Sequence, residues 1–166
     1  MYFWENNIPM KPVIKLDAID RKILEFLQLD SNITNAQLAK EVGLSPAPTL
    51  ERVKKLEQSG LIKSYHAELD TDKLGLGVGI FILVSLSSHK MNQILTFVEK
   101  INAIREVIEC HHITGSGDFL LKVLTTDISS YQTLILDKLS QIEEIGNMKS
   151  MVILSSFKDA KVMPIP

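Results

Sequence analysis

The chain has a single cysteine, Cys110, so no intrachain disulfide can staple it, and a reducing, cytoplasmic setting is expected. Long apolar runs are missing as well. The longest, Val78 to Val84, is far too short to cross a bilayer, so no membrane partner is expected. Residues 1–12 contain neither a continuous apolar stretch nor a small-residue cleavage site, which argues against a signal peptide. With Pro9 and Pro12, residues 1–15 read as a loose N-terminal arm. An excess of basic charge is lacking too: 18 Lys and Arg face 20 Asp and Glu, for a net charge of −2. Between Asp17 and His66 there are seven of each sign. The bulk electrostatic footprint of a nucleic-acid binder is therefore absent, and any such reading has to rest on where the charges sit. Catalytic constellations are equally scarce. No Gly-x-Ser-x-Gly nucleophile motif occurs. In a strand, Cys110 and His112 would share one face and His111 the other, with no second Cys or His pair at metal spacing, so a core or interface role is expected. His66 and His89 stand isolated, and the pairs Glu106/Glu109 and Glu143/Glu144 read as solvated edges. Neither an enzyme nor a metal or cofactor protein is expected.

What the chain does have is helical periodicity near its N-terminus. Leu16, Ile19, Ile23, Phe26 and Leu27 repeat at helical spacing behind Asp17, a favoured N-cap residue, and Asp30-Ser31-Asn32 ends this helix. A short helix follows from Ala36 to Val42, capped by Thr34 or Asn35, and Gly43 supplies the turn out of it. Ser45-Pro46 opens a third helix, because serine caps well and proline fits the first helical position. Small residues at Ala39 and Gly43 allow tight contact and a sharp turn between the second and third helices. That is the geometry of a helix-turn-helix.

On the third helix, Leu50, Val53 and Leu56 are expected to face inward with Thr49 beside them. Pro48, Glu51, Arg52 and Lys55 then point away, with Lys54 at the flank. Ser45 and Pro46, at the helix start, are placed to meet a phosphate. Arg52 has the fork that reads a guanine edge, Lys54 and Lys55 suit phosphates, and Glu51 either accepts from a cytosine or orients Arg52. The structural alternative is a solvated face with a Glu51–Lys55 pair one helical turn apart. Leu61 to Leu69 reads as extended, either a wing or a linker strand, and the Asp- and Gly-containing stretch from Asp70 to Gly77 as a boundary.

The rhythm then changes. Strands are expected at Val78–Leu86, Val107–Ile113, Phe119–Thr125 and Met148–Ser155, with helices at Asn92–Ile101 and Ile128–Leu139. The order βαββαβ is ferredoxin-like, so the fold class is α+β. Both helices lie on one face of such a sheet, yet the first, third and last strands carry apolar residues on both faces. A second copy of the sheet is the simplest cover and gives a homodimer, although the N-terminal helices would serve as an alternative cover. The turn Thr114-Gly115-Ser116-Gly117-Asp118 offers backbone N–H groups for an anion and a carboxylate for an ammonium, as an amino-acid effector would need; a plain hairpin turn is the alternative.

The run Ala36-Gln37-Leu38-Ala39-Lys40-Glu41-Val42-Gly43-Leu44-Ser45-Pro46, continued by Leu50-Glu51-Arg52-Val53-Lys54-Lys55-Leu56-Glu57 and Gly60-Leu61-Ile62, resembles the Lrp/AsnC (feast/famine) transcriptional regulators. Leu16-Asp17-Ala18-Ile19-Asp20-Arg21-Lys22-Ile23-Leu24 is similar too, and the likeness extends to about Lys158. It implies a winged helix-turn-helix at 16–63, a linker and hinge at 64–77, a RAM/ACT-like βαββαβ effector and oligomerisation domain at 78–158 and a tail at 159–166. It also implies double-stranded DNA as partner, homodimers that assemble further, for instance into octamers, and amino acids as small-molecule effectors. Gly115 and Asp118 match the family's effector turn. The chain departs from the pattern at Gly117, where a bulkier residue is frequent, and at Met148 and Ser150, where threonines often touch the effector. A rival reading is a small-molecule-sensing regulatory subunit that binds no DNA.

Overall fold

In the computed structural model, which describes residues 14–158 and 162–166, the chain divides into two units. One runs to Ala67 and takes back Lys158–Pro166; the other spans Glu68–Phe157 and is therefore inserted in the first. Most of the expected arm falls outside the described residues.

The first unit holds three helices: α1 (Ala18–Leu29), α2 (Asn35–Val42) and α3 (Pro46–Gln58). Asp17 caps α1 with a full capping box: its carboxylate accepts from the Ile19 and Asp20 amides, while the Asp20 carboxylate accepts from the Asp17 amide. Such caps are worth about 1 kcal/mol. Thr34, not Asn35, caps α2, and Gln37 completes its capping box. Gly43 turns the chain at φ 74°, the left-handed conformation that glycine adopts without strain. Ile23, Leu38, Val42 and Leu56 are buried together, with Leu16, Ile19, Val53 and Ile62 packed around them. The segment 61–69, expected as a wing or a linker strand, forms no strand.

The second unit has the order β1 (Val78–Leu86), α4 (Met91–Asn102), β2 (Val107–His112), β3 (Phe119–Thr125), α5 (Ile128–Asp137), a 3-10 turn at Leu139–Gln141 and β4 (Ile145–Val152). The sheet order is β2-β3-β1-β4, antiparallel throughout. β4 begins three residues before its expected start because the core-facing partners of β1 on this edge are Ile145 and Met148, not the apolar Ile153-Leu154 beyond the strand. Leu154 is left almost wholly exposed. Ile80, Ile82, Val84 and Leu86 alternate inward on β1, as do Phe119, Leu121 and Val123 on β3. Phe97 and Ile101 of α4 and Leu134 of α5 complete that core, so both helices cover the same face.

Candidate nucleic-acid interface

The third helix is rotated relative to the expected arrangement. Thr49 and Leu56 form its buried line, and Leu50 is 43 % exposed. The Thr49 hydroxyl donates to the Ser45 carbonyl, one helical turn back, which lets a polar side chain sit in the core without an unpaired group. With Thr49 at the centre of the inner face, a step of 100° per residue carries Leu50 to the flank. Ser45 stands at the N-cap position with extended backbone but makes no side-chain cap bond. The outer surface consists of Ser45, Pro46, Leu50, Glu51, Lys54 and Lys55, all exposed, with Pro48 half-buried. Among the described residues, the ion pairs include none formed by Glu51, Lys54 or Lys55, so the Glu51–Lys55 pair of the structural alternative is not among them.

Arg52 departs most from the sequence reading. Its Nη1 donates to Asp17 Oδ2 at 2.6 Å and to Asp20 Oδ1 at 2.7 Å. The guanidinium thus spans from the middle of α3 to the capped start of α1. The Asp17 carboxyl is held below its ordinary range, first by the Asp20 amide and then by Arg52. Arg52 thus braces α3 against the start of α1. Around it lies a cleft of about 620 Å³ lined by Lys15, Asp17, Asp20, Pro48, Glu51 and Lys55 among others. A second tie went unforeseen. Asn35 Nδ2 donates to the Pro46 carbonyl at 2.8 Å and joins the first turns of α2 and α3, while its Oδ1 is buried without a partner. Neither contact has a local sequence signal, because each joins residues on different helices.

In the second unit, Thr114, Gly115 and Ser116 are exposed, Gly117 and Asp118 half-buried. The Asp118 carboxylate already has two partners: Oδ2 accepts from the Leu86 amide at 2.7 Å, and Oδ1 lies 2.8 Å from His89 Nε2. Burial pushes its pKa up, but those hydrogen bonds outweigh the burial and hold it below the ordinary value. His89 is therefore not isolated, since the antiparallel pairing of β1 and β3 brings the end of one strand beside the start of the other. Gly117 is a close-approach glycine: a Cβ there would lie 2.7 Å from Leu83 Cγ and 3.2 Å from the Val84 carbonyl oxygen. Met148 lies opposite Val84 on β4, and Ser150 opposite Ile82, with the Ser150 hydroxyl bonded to Tyr131. The turn, at the start of β3, and the Met148/Ser150 pair, on β4, thus flank β1 from opposite sides.

Other expectations fare unevenly. Cys110 and His112 share the core face, opposite Leu121 and Phe119, and the His112 ring stacks on Phe119 at 4.8 Å. The acidic pairs are not merely solvated: Glu106 binds Lys138, Glu144 binds Lys100, and Glu109 binds both His111 and Lys122. Among the described residues, no group of three or more His, Cys, Asp or Glu gathers as a metal set, and no helix is long and apolar enough to cross a membrane.

Two family models match the chain: winged helix-turn-helix DNA-binding over residues 16–63 and Lrp/AsnC ligand binding domain over residues 79–163. The chain belongs to the Lrp/AsnC family of transcriptional regulators. It is 38 % identical to the transcriptional regulator AzlB of Bacillus subtilis, over 92 % of this chain and 97 % of that one. It is 34 % identical to the leucine-responsive regulatory protein of Escherichia coli, over 93 % and 94 % respectively. A Neisseria meningitidis transcriptional regulator solved as an L-Met complex superposes with a TM-score of 0.87 at 33 % identity, covering 90 % of this chain and 97 % of that one. In Lrp/AsnC terms, α2 and α3 are the helix-turn-helix of a DNA-binding regulator, and Glu68–Phe157 is its ligand-binding unit.

Proposed function

We propose that this regulator acts as a homodimer, or a larger even assembly such as an octamer, that binds near-palindromic double-stranded DNA in the cytoplasm and is tuned by an amino acid. Its work is binding rather than catalysis, and it uses no cofactor beyond the effector. The observation that carries the assembly is the sheet face turned away from α4 and α5. Phe81, Leu83, Leu120 and Leu124 lie there, and Met151 pairs with Phe81 on the same face. A second copy of the same face buries that surface symmetrically and brings two recognition helices to one duplex.

On the DNA, α3 presents Ser45 and the helix N-terminus to phosphate, with Lys54 and Lys55 as further phosphate contacts and Pro48, Leu50 and Glu51 toward the bases. The first unit carries no net positive charge between Asp17 and His66, so one copy alone would bind weakly and pairing is part of the DNA-binding mechanism. The L-Met complex of the Neisseria relative supports an amino-acid effector, and we place it at the Thr114–Asp118 turn, with Met148 and Ser150 across β1. An ammonium group would have to share Asp118 with Leu86 and displace or join His89.

A mobility shift on palindromic DNA at rising salt tests the DNA reading. Binding should weaken steeply, with log K falling by about 0.9 per phosphate contact for each unit of log salt. Replacing both Lys54 and Lys55 by Ala should flatten that slope by about 2. No specific binding at low salt by a folded protein overturns the reading. Calorimetry with the twenty amino acids tests the effector, and binding of none of them overturns that part.

A further inference from the structure

The outer face of α1 holds a peptide. Gln28 pairs with the backbone of Met163 in both directions: the Met163 amide donates to Gln28 Oε1 at 2.7 Å, and Gln28 Nε2 donates to the Met163 carbonyl at 3.1 Å. Two turns earlier, Arg21 Nε donates to the Pro166 carbonyl at 2.7 Å. The spacing fits an extended chain. Seven residues of α-helix rise about 10.5 Å, and three residues of extended peptide cover about 10 Å. Residues before proline favour extended backbone, so Pro164 and Pro166 pre-set Met163 and Ile165 in the shape that α1 receives. Pre-setting lowers the ordering cost of docking. Ile165 is half-buried, while Met163 and the prolines are exposed. Recognition goes through backbone groups and reads the shape of the segment more than its side chains.

The place of this segment in the chain gives the contact its meaning. The ligand-binding unit is inserted in the DNA-binding unit, and the chain passes between them at 67/68 and again at 157/158. Both passages leave from the same end of neighbouring strands. Ile80 near the start of β1 pairs with Val152 at the end of β4, and the Ile153 amide donates to the Gly79 carbonyl.

We propose that Val162–Pro166 is a strap whose docking on α1 gives the DNA-binding unit a second tether to the ligand-binding unit and narrows the orientations open to the recognition helix. The strap rests on the α1 contacts alone and does not depend on which DNA or effector is bound.

Two full-length variants isolate it. Gln28→Ala removes the bidentate partner from α1, and Met163→Pro removes the backbone donor from the strap without touching α1. Hydrogen exchange reads docking: the Met163 amide should exchange at least about tenfold more slowly in the wild type than in Gln28→Ala. Electron-spin distance measurements between labels on Lys40→Cys and Leu136→Cys, with Cys110→Ser, read the tether. The distance distribution should widen at least about twofold in both variants, and no further when they are combined. Full-rate exchange of Met163 in the wild type overturns the docking. A protected amide with unchanged distance distributions in both variants overturns the tether. Neither readout needs DNA, so failure of the strap and failure of the DNA-binding reading are distinguished.

Discussion

Arg52 on the recognition helix donates to Asp17, the residue that caps the first helix, at 2.6 Å. The same carboxylate receives the Ile19 and Asp20 amides, so cap and brace form one unit. A basic residue of the helix-turn-helix thereby ties α3 to α1. Arg52→Ala should weaken binding to every operator variant by a similar factor and lower Tm. An arginine that reads guanine behaves differently, relaxing specificity at one base pair by about 1–3 kcal/mol. A base-substitution scan with both proteins separates the two outcomes.

The rotation of α3 has its own signature. Leu50→Ala should leave stability within about 0.5 kcal/mol, as at other exposed sites. Leu56→Ala should cost about 2–5 kcal/mol, because Leu56 is buried against Ile23 and Leu38. Denaturant titration of the two variants checks this, and equal losses would restore Leu50 to the core.

Gly117 and Leu83 share one space. Gly117→Ala should destabilise the ligand-binding unit by about 1–3 kcal/mol through overpacking, since the new Cβ would meet Leu83 and the Val84 carbonyl. Part of the loss should vanish when Leu83→Ala is added, a coupling that a double-mutant cycle measures. If the two losses simply add, the close approach is not the cause.

Acid should loosen the turn that Asp118 closes. The Asp118 carboxyl is held below its ordinary pKa in the folded chain, so the native state favours the charged form. Its stabilisation is complete above the unfolded carboxylate value of about 3.9 and is lost as pH falls through the lower folded one. Asp118→Asn should flatten the acid limb of the stability profile in that window, measured by thermal melts between about pH 5 and 2. An unchanged acid limb would argue that other carboxylates, such as Glu106 and Glu144, carry it.

Tyr65 should titrate late. Burial, then its hydrogen bond to Glu57, pushes the phenol up to about 12. A raised folded value means that its contribution is present below the ordinary phenol range and fades as pH climbs through the folded one. The ultraviolet difference between wild type and Tyr65→Phe reads the step directly, and a midpoint near 10 would contradict the Glu57 contact.

The architecture was legible in the sequence because it rests on local signals: helical periodicity, the Asp17 cap, the Gly43 turn, the Ser45-Pro46 start and the alternation of the central strands. Each of those lies within a few residues of its partner. What escaped depends on distance in the chain. Arg52 to Asp17, Asn35 to Pro46, His89 to Asp118 and Gln28 to Met163 all join residues on different elements, and nothing at either end announces the other. The inner line of α3 escaped for another reason: a threonine took the core position that apolarity alone assigns to Leu50, by satisfying its hydroxyl on the turn below. β4 slipped because an edge strand carries its pairing in backbone groups that composition does not mark.

The insertion of one unit in the other also sets an order of events during synthesis. Domains fold as units while the chain emerges. Here the three helices precede the sheet in the chain, while Lys158–Pro166 of the same unit follows it. A C-terminally clipped chain would thus keep the core of the three helices, which draws on no residue after Ile62, and lose the contacts at Arg21 and Gln28.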